Sequence, residues 1–475
     1  MPDITIPGVY VEEGPGPTPP IIEGPTAVPC FVGYTATGFD PDGAPLFLTP
    51  TRVTSLLEYE QQFGGPRLEA MRVELQTDPA MPAGVRVDAV APATAAPVFA
   101  LYWAVRQYFD NGGLACYITS VGVYGDAPDA AALTTGLESS AIEPSITLVA
   151  MPDAAMLAAY DDYRSVALAQ LQHCRDTQGR FAILDVWQGY LAPSTSVDVA
   201  APGAPPDLRT VIEASRDAWT DHLQHGAAYY PFLVSAYTHD LVAPAALVSV
   251  VLDGESIGTL DQLMELAPTL AVEVRQAVAA SAVVLPPSGA VAGVYAATDN
   301  AQGVWTAPAN WSLSAVLRPS VSLDTVEQEP LNIDPIMGKS INAIRAFTGK
   351  GTLVWGARTL DGNSQDWRYV PVRRLVNHLE RSILNSTGWV AFEPNTAATW
   401  ATLRATLENY LTVVWRNGGL NGARPQDAFT VACGLGQTMT ADDVMNGQLT
   451  VTLALAVLRP AEFLNVTLRY AVQPA

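Results

Sequence analysis

Residues 396–416, TAATWATLRATLENYLTVVWR, and 448–457, QLTVTLALAV, decide how the chain is read. In the first stretch Trp400, Leu403, Leu407, Leu411 and Val414 recur at helical spacing and make one apolar face. Arg404, Glu408 and Arg416 fall on the opposite, polar face. Asn395 or Thr396 can cap this helix, and Gly418-Gly419 stops it. In the second stretch Leu449, Val451, Leu453, Leu455 and Val457 alternate with Thr450, Thr452, Ala454 and Ala456, the pattern of a strand with one buried face. Val466, Leu468, Tyr470 and Val472 then alternate with Asn465, Thr467 and Arg469, which predicts a last strand over Leu464–Gln473. Just upstream, RRLVNHLERSI predicts a helix ending near Asn385, and Trp389, Val390 and Phe392 a short strand. A terminal strand needs a neighbour for its backbone groups, inside its own subunit or in another chain.

At the other end, Asp3–Glu13 reads as a short extended segment bearing Ile4, Ile6, Val9, Tyr10 and Val11, too apolar for a solvated tail. The proline-rich run Gly14–Pro29 forbids helix and favours extended chain. A β-competent tip on a stiff tether is suited to reaching a partner.

The 475 residues can form about two to four domains. Hydrophobic residues make up 49% and charged residues 15%, which points to much buried surface. The net charge of −22 argues against a nucleic-acid partner. Its distribution is uneven: residues 340–475 hold 12 Arg and Lys against 9 Asp and Glu, about +3, and residues 1–339 hold 13 against 38, about −25. Lys339 and Lys350 are the only lysines, so nearly every cation is an arginine. Cys30, Cys116, Cys174 and Cys433 are widely spaced and read as buried free thiols of a reducing compartment. The N-terminus lacks the features of a secretory signal, and no run is long enough to span a membrane. Assembly in the cytoplasm, without membrane insertion, is expected.

Between the ends, Cys30–Tyr34 reads as a first core strand and Ser55–Phe63 as a helix. Residues 66–97 read as a hairpin excursion or a loop, and Phe99–Val121 as a helix running into a strand across Asn111-Gly112-Gly113. From about Gly125 strands alternate with helices. SITLVAMPD, RFAILDV, YYPFLVSAY and LVSVVLD are the expected strands, and Ala154–Asp176, Asp207–His225 and Leu260–Ala282 the expected helices. This order implies parallel strands with crossover helices.

The inventory of chemistry is poor. Gly254-Glu255-Ser256-Ile257-Gly258 matches the GxSxG of a hydrolase elbow, but the only downstream histidine, His378, lies inside a helical pattern. Gly338-Lys339-Ser340 is similar to the end of a phosphate loop, but Ile333 stands where that loop needs glycine. His222 and His225 lack companions for a metal site and read as a solvated helix face. Asp161-Asp162 and Asp442-Asp443 read as helix-start or surface charges, and Trp103, Trp355, Trp389, Trp400 and Trp415 as core. No cofactor is expected.

The stretches 371–383, 392–431 and 458–470 together resemble the C-terminal domain of contractile tail sheath proteins of phage tails, tailocins and injection systems. The segment GVYVEE at Gly8–Glu13, the serine-led helix ending in Phe63-Gly64-Gly65, the run Tyr108–Gly113 and the stretch VLPPSGAVAGVYAATDNAQGVWTAPAN extend the resemblance in patches over nearly the whole chain. It implies a multidomain α+β and α/β chain: an arm and linker at 1–29, part of a core at 30–124, an inserted α/β domain at 125–339, and a C-terminal sheath domain with a terminal arm strand at 340–475. It further implies a non-enzymatic subunit of stacked hexameric rings around an inner tube, with baseplate and terminator proteins as partners. The two ends would add as strands to neighbouring subunits, and contraction would drive the tube outward. The cationic excess of residues 340–475 suggests that Arg404 and Arg416, with Glu408 between them, face an acidic tube. The alternatives are a hydrolase using Ser256 and a non-contractile tail or terminator component.

Overall fold

A computed structural model of the protein describes residues 20–40, 42–81, 84–92, 98–125, 127–201, 203–458 and 463–471, the last segment as backbone. Ile4, Ile6, Val9, Tyr10, Val11 and Val472, and the hinge expected at Arg459-Pro460, lie outside the described residues. The chain forms two compact units, one of Gly24–Leu379 and one of Glu380–Ala475 with the residues before Gly24.

The larger unit is organised by a nine-stranded sheet. Pro29–Thr35 lies inside it, between Leu148–Ala150 and Cys116–Val123 and parallel to both. Beyond Leu148–Ala150 come Phe181–Asp185, Gly226–Tyr230 and Ile341–Phe347, again parallel. Antiparallel strands finish both edges: Thr51–Val53 at one, Gly351–Val354 and Trp311–Ser312 at the other. Strands Pro29–Thr35, Phe181–Asp185 and Gly226–Tyr230 are buried at every position, because helices cover both faces. Each face has its own core. One gathers Val32, Leu171 and Trp219, and the other Phe31, Trp103 and Tyr295. Within the second core, helices Leu101–Asp110 and Ser288–Gln302 pack at backbone distance. A Cβ on Gly289 would lie 2.3 Å from the Ala104 carbonyl oxygen.

The divisions expected at 124/125 and 339/340 fall inside this sheet. Parallel pairing with crossovers joins Pro29–Thr35, Leu148–Ala150 and Ile341–Phe347 into one layer, so the alternating segment is continuous with what flanks it. Other expectations shift for local reasons. Proline at Pro268 splits Leu260–Ala282 into Leu260–Leu266 and Pro268–Ala280. Asp207–His225 becomes a short strand, Leu208–Thr210, a helix, Val211–Ala218, started by a Thr210–Glu213 capping box, and a separate 3-10 turn. YYPFLVSAY divides at Pro231 between the large sheet and a three-stranded one.

Residues 71–92 form a hairpin, Met71–Thr77 with Val85–Pro92. It joins Val248–Leu252 and Glu255–Thr259 in a four-stranded sheet. Helices Leu260–Leu266 and Pro268–Ala280 cover it, closing a small core of Val73, Val250, Leu263 and Val274.

The smaller unit contains helix Ala397–Arg416, which buries Leu403, Leu407, Leu411 and Val414 as the spacing predicts. Trp400 is half-buried, and its indole N–H donates to Asn395 Oδ1. Residues 388–392 are a 3-10 turn rather than a strand. A three-stranded antiparallel sheet follows, of Phe429–Ala432, Gln448–Ala456 and Phe463–Ala471.

In the larger unit the Arg374 guanidinium grips the Asp299 carboxylate through two bonds, at 2.9 and 2.6 Å, with both side chains 2% exposed. It also donates to the Thr26 carbonyl and stacks 4.6 Å from the Tyr295 ring centre. Replacing Arg374 by alanine leaves the buried Asp299 carboxyl without its partner, and is expected to cost about 3–5 kcal/mol. Chemical denaturation, comparing Arg374→Ala with the wild type, checks this.

Candidate functional site

In open parallel sheets, ligands bind beyond the carboxyl ends of the strands, often with an anionic group on a helix N-terminus. Here the chain's own carboxylates fill that place twice. After Leu148–Ala150 the chain enters a 3-10 turn, Pro152–Met156, that carries the fully buried Asp153. Asp153 accepts backbone N–H bonds from Tyr34 at 2.8 Å, Ala100 at 2.6 Å and Leu101 at 3.0 Å, the last two at the start of helix Leu101–Asp110. The carboxylate fits only because residue 33 is glycine: a Cβ there would stand 2.5 Å from Asp153 Oδ2. Asp185, the last residue of Phe181–Asp185, accepts the N–H of Ser288 at 2.8 Å, at the head of helix Ser288–Gln302. Burial pushes the Asp153 carboxyl up to about 6 against the pull of its three N–H donors, and the Asp185 carboxyl up to about 7. Both strand ends are therefore sealed from within.

The remaining motifs are structural in their surroundings. Ser256 lies exposed within strand Glu255–Thr259, and the turn before it, Asp253-Gly254, joins an antiparallel hairpin; a nucleophile elbow needs a strand-to-helix turn. Lys339 is buried and donates from Nζ to the Arg216 carbonyl at 2.6 Å, and Ser340 Oγ donates to the Asn332 carbonyl, so neither is open to a phosphate. His222 caps and His225 ends a 3-10 turn, so the two do not share a helix face. Burial, reinforced by Arg373, lowers the His225 pKa to about 4. The four cysteines are buried free thiols. Among the described residues no three metal-ligating side chains cluster, and no helix is long and apolar enough to cross a membrane.

What the smaller unit offers instead is backbone. Phe463–Ala471 pairs along its length with Gln448–Ala456, setting Val466, Leu468 and Tyr470 opposite the buried Leu453, Val451 and Leu449. One side of this strand thus has its neighbour within the chain. Its other side has no partner among the described residues. On helix Ala397–Arg416 the side chains of Arg404, Glu408 and Arg416 are exposed, and Arg404 and Glu408 form a solvated pair at 3.9 Å.

Residues 363–471 match the family model described as the phage tail sheath C-terminal domain. The chain is 26% identical over 136 residues to the tail sheath protein of Vibrio phage KVP40, a match covering 29% of this chain and 20% of that relative. Over nearly its whole length it is similar to the helical sheath of the anti-feeding prophage in its contracted state, at 29% identity, with 97% of this chain and 98% of that one covered and a TM-score of 0.61. The PVC sheath complex of an extracellular contractile injection system, also contracted, is similar at 27% identity, covering 97% and 96% of the two chains, with a TM-score of 0.60. Residues 363–471 thus match a phage tail sheath C-terminal domain, and the chain as a whole is similar to contractile sheath proteins. The matched C-terminal domain contains both the helix with the arginine face and the sheet with the open edge. The sequence reading missed Asp153 and Asp185. Their signal was present as an aspartate directly after an apolar run, in SITLVAMPD and RFAILDV.

The raised Asp185 pKa makes a signed prediction. The folded state holds this proton more tightly than the unfolded state, so the stability it contributes is full below about pH 4 and is lost as pH rises through about 7. The variant Asp185→Asn is expected to gain stability relative to the wild type between pH 5 and pH 8, as measured by denaturant midpoints at the two pH values.

Proposed function

We propose that the protein is the subunit of a contractile sheath, polymerising as stacked hexameric rings around an inner tube and shortening to drive that tube through a target envelope. The observation that carries this is similarity along nearly the entire chain to two contracted sheaths at 27–29% identity. The sealed strand ends support a role without catalysis or cofactor. Work would then come from surface buried between subunits on contraction. The apolar tip with Ile4, Ile6, Val9, Tyr10 and Val11 would extend a neighbour's sheet, and the open edge of the strand bearing Val466, Leu468 and Tyr470 is suited to the reciprocal exchange, with Val472 expected to continue it. Assembly would take place in the cytoplasm of the producing cell, with tube, baseplate and terminator proteins as partners. A non-contractile tail component is the alternative. It would make rings without a shortening cylinder.

The first test is negative-stain electron microscopy of the protein alone and of a copy lacking Met1–Glu13. The full chain is expected to give long striated cylinders and the truncation none. Small uniform particles from both would count against the reading.

A second expectation concerns the inner wall. Arg404 and Arg416 would face an acidic tube, with the acidic bulk of the chain outward. Exchanging both for glutamate should leave the fold intact and abolish co-assembly with the tube protein in a sedimentation assay. Unchanged co-assembly would remove the arginine face from the interface.

A further inference from the structure

The four-stranded sheet and its two helices, residues 71–92 and 248–280, close a core separate from those of the nine-stranded sheet. The chain passes between this part and the rest of the larger unit at four places. One, at residues 93–97, lies outside the described residues. The other three meet at a single point. Glu69 stands just before strand Met71–Thr77, His239 just after strand Leu233–Thr238, and Ser281 just after helix Pro268–Ala280. Backbone bonds clasp them. The Glu69 N–H donates to the Val242 carbonyl at 2.8 Å, and the His239 N–H to the Ser281 carbonyl at 3.0 Å. The boundary between cores falls here, with Val242 in the large one and Ala243 in the small one.

The side chains at this point are titratable and buried: His239 is 3% exposed and Glu69 8%. The His239 ring points Nδ1 at the Ser281 carbonyl and hydroxyl, each 3.2 Å away, and Nε2 at the Glu69 carboxyl, 3.9 Å away. A carbonyl only accepts, so Nδ1 carries a proton and Nε2 is left to face the acid. One proton held between Nε2 and the carboxyl keeps the pair free of net charge. Its loss leaves a bare carboxylate inside the crossing. Few other charges reach the point. Arg67 acts on Glu69 and lies 5.5 Å from the Phe99 ring centre. Asp240 is the next residue of the chain after His239. Helix Pro268–Ala280 packs here with Ala271, Val274 and Val278 inward; its Glu273 lies off that face, and its exposed Arg275 bonds the Met264 sulfur. Arg106 and Asp110 of helix Leu101–Asp110 are taken up by the ring and hydroxyl of Tyr237. Strand Ala282–Leu285 carries no charge. Burial raises the Glu69 carboxyl to about 7 against the pull of Arg67. The folded value lies above the ordinary 4.5, so the stabilisation is full below about pH 4.5 and is lost as pH rises through about 7.

We propose that Glu69 and His239 form a proton-held latch between the four-stranded part and the nine-stranded body. With the proton in place the crossings are closed; without it the four-stranded part separates at the crossings while both cores stay folded. The inference concerns the single subunit and does not depend on the sheath reading.

Hydrogen–deuterium exchange of the full chain at a series of pH values from 6 to 8.5, corrected for the intrinsic pH dependence of amide exchange, tests the latch. Peptides spanning Glu69 and His239–Ala243 are expected to exchange about tenfold faster at pH 8.5 than at pH 6, the linkage of a carboxyl moved from 4.5 to about 7. Glu69→Gln keeps the shape without the charge. It is expected to abolish this dependence while strands Pro29–Thr35 and Gly226–Tyr230 exchange as in the wild type. Arg67→Gln removes a cation that favours the ionised carboxyl, and is expected to move the midpoint to higher pH. A wild type with flat exchange at the crossings would overturn the proposal. So would a dependence that survives in Glu69→Gln, or a midpoint that Arg67→Gln leaves in place or lowers. Should Glu69→Gln fail to fold, the wild-type profile and Arg67→Gln decide the matter.

Discussion

A parallel strand buried on both faces can be held only by cover on both sides, and that constraint shapes the larger unit. Pro29–Thr35 has no residue open to solvent, so each face requires its own helical layer and its own core. The helices must then begin at the carboxyl ends of the strands, where their N-terminal amides are buried. Buried amides require acceptors. Asp153 and Asp185 are those acceptors, and Gly33 is the gap that admits one of them. Three otherwise separate features, an all-buried strand, a raised carboxyl pKa and a required glycine, are parts of one solution.

The same logic separates the two units. The larger one meets the amides at its strand ends with its own buried carboxylates. The smaller one ends on a strand with one side unmatched among the described residues.

Much of this was legible in the sequence where period and burial agree. The face Leu403, Leu407, Leu411 and Val414 and the alternation from Leu449 to Leu455 were readable because one side of each element is wet, so the pattern is written in polarity. The alternating order of strands and helices was readable for the same reason at larger scale. What escaped were domain limits and strand partners. Fully buried strands such as Phe181–Asp185 carry no alternation, and nothing local in Cys116–Val123 or Ile341–Phe347 says that they share a sheet with Leu148–Ala150. The 3-10 turn at Gly388–Phe392 looked like a strand because a short apolar run has no period of its own. Asp153 and Asp185 escaped because a carboxylate is expected at the surface, and only the fold shows that both are inside.

The plugged strand ends have one more consequence. A sheet of this type elsewhere offers its carboxyl edge to nucleotides, and so to a fuel that can be taken up again after each cycle. Here that inlet is closed by the protein's own side chains. A machine made of such parts would be charged when it is built and discharged when it fires, with no means at this place to rewind.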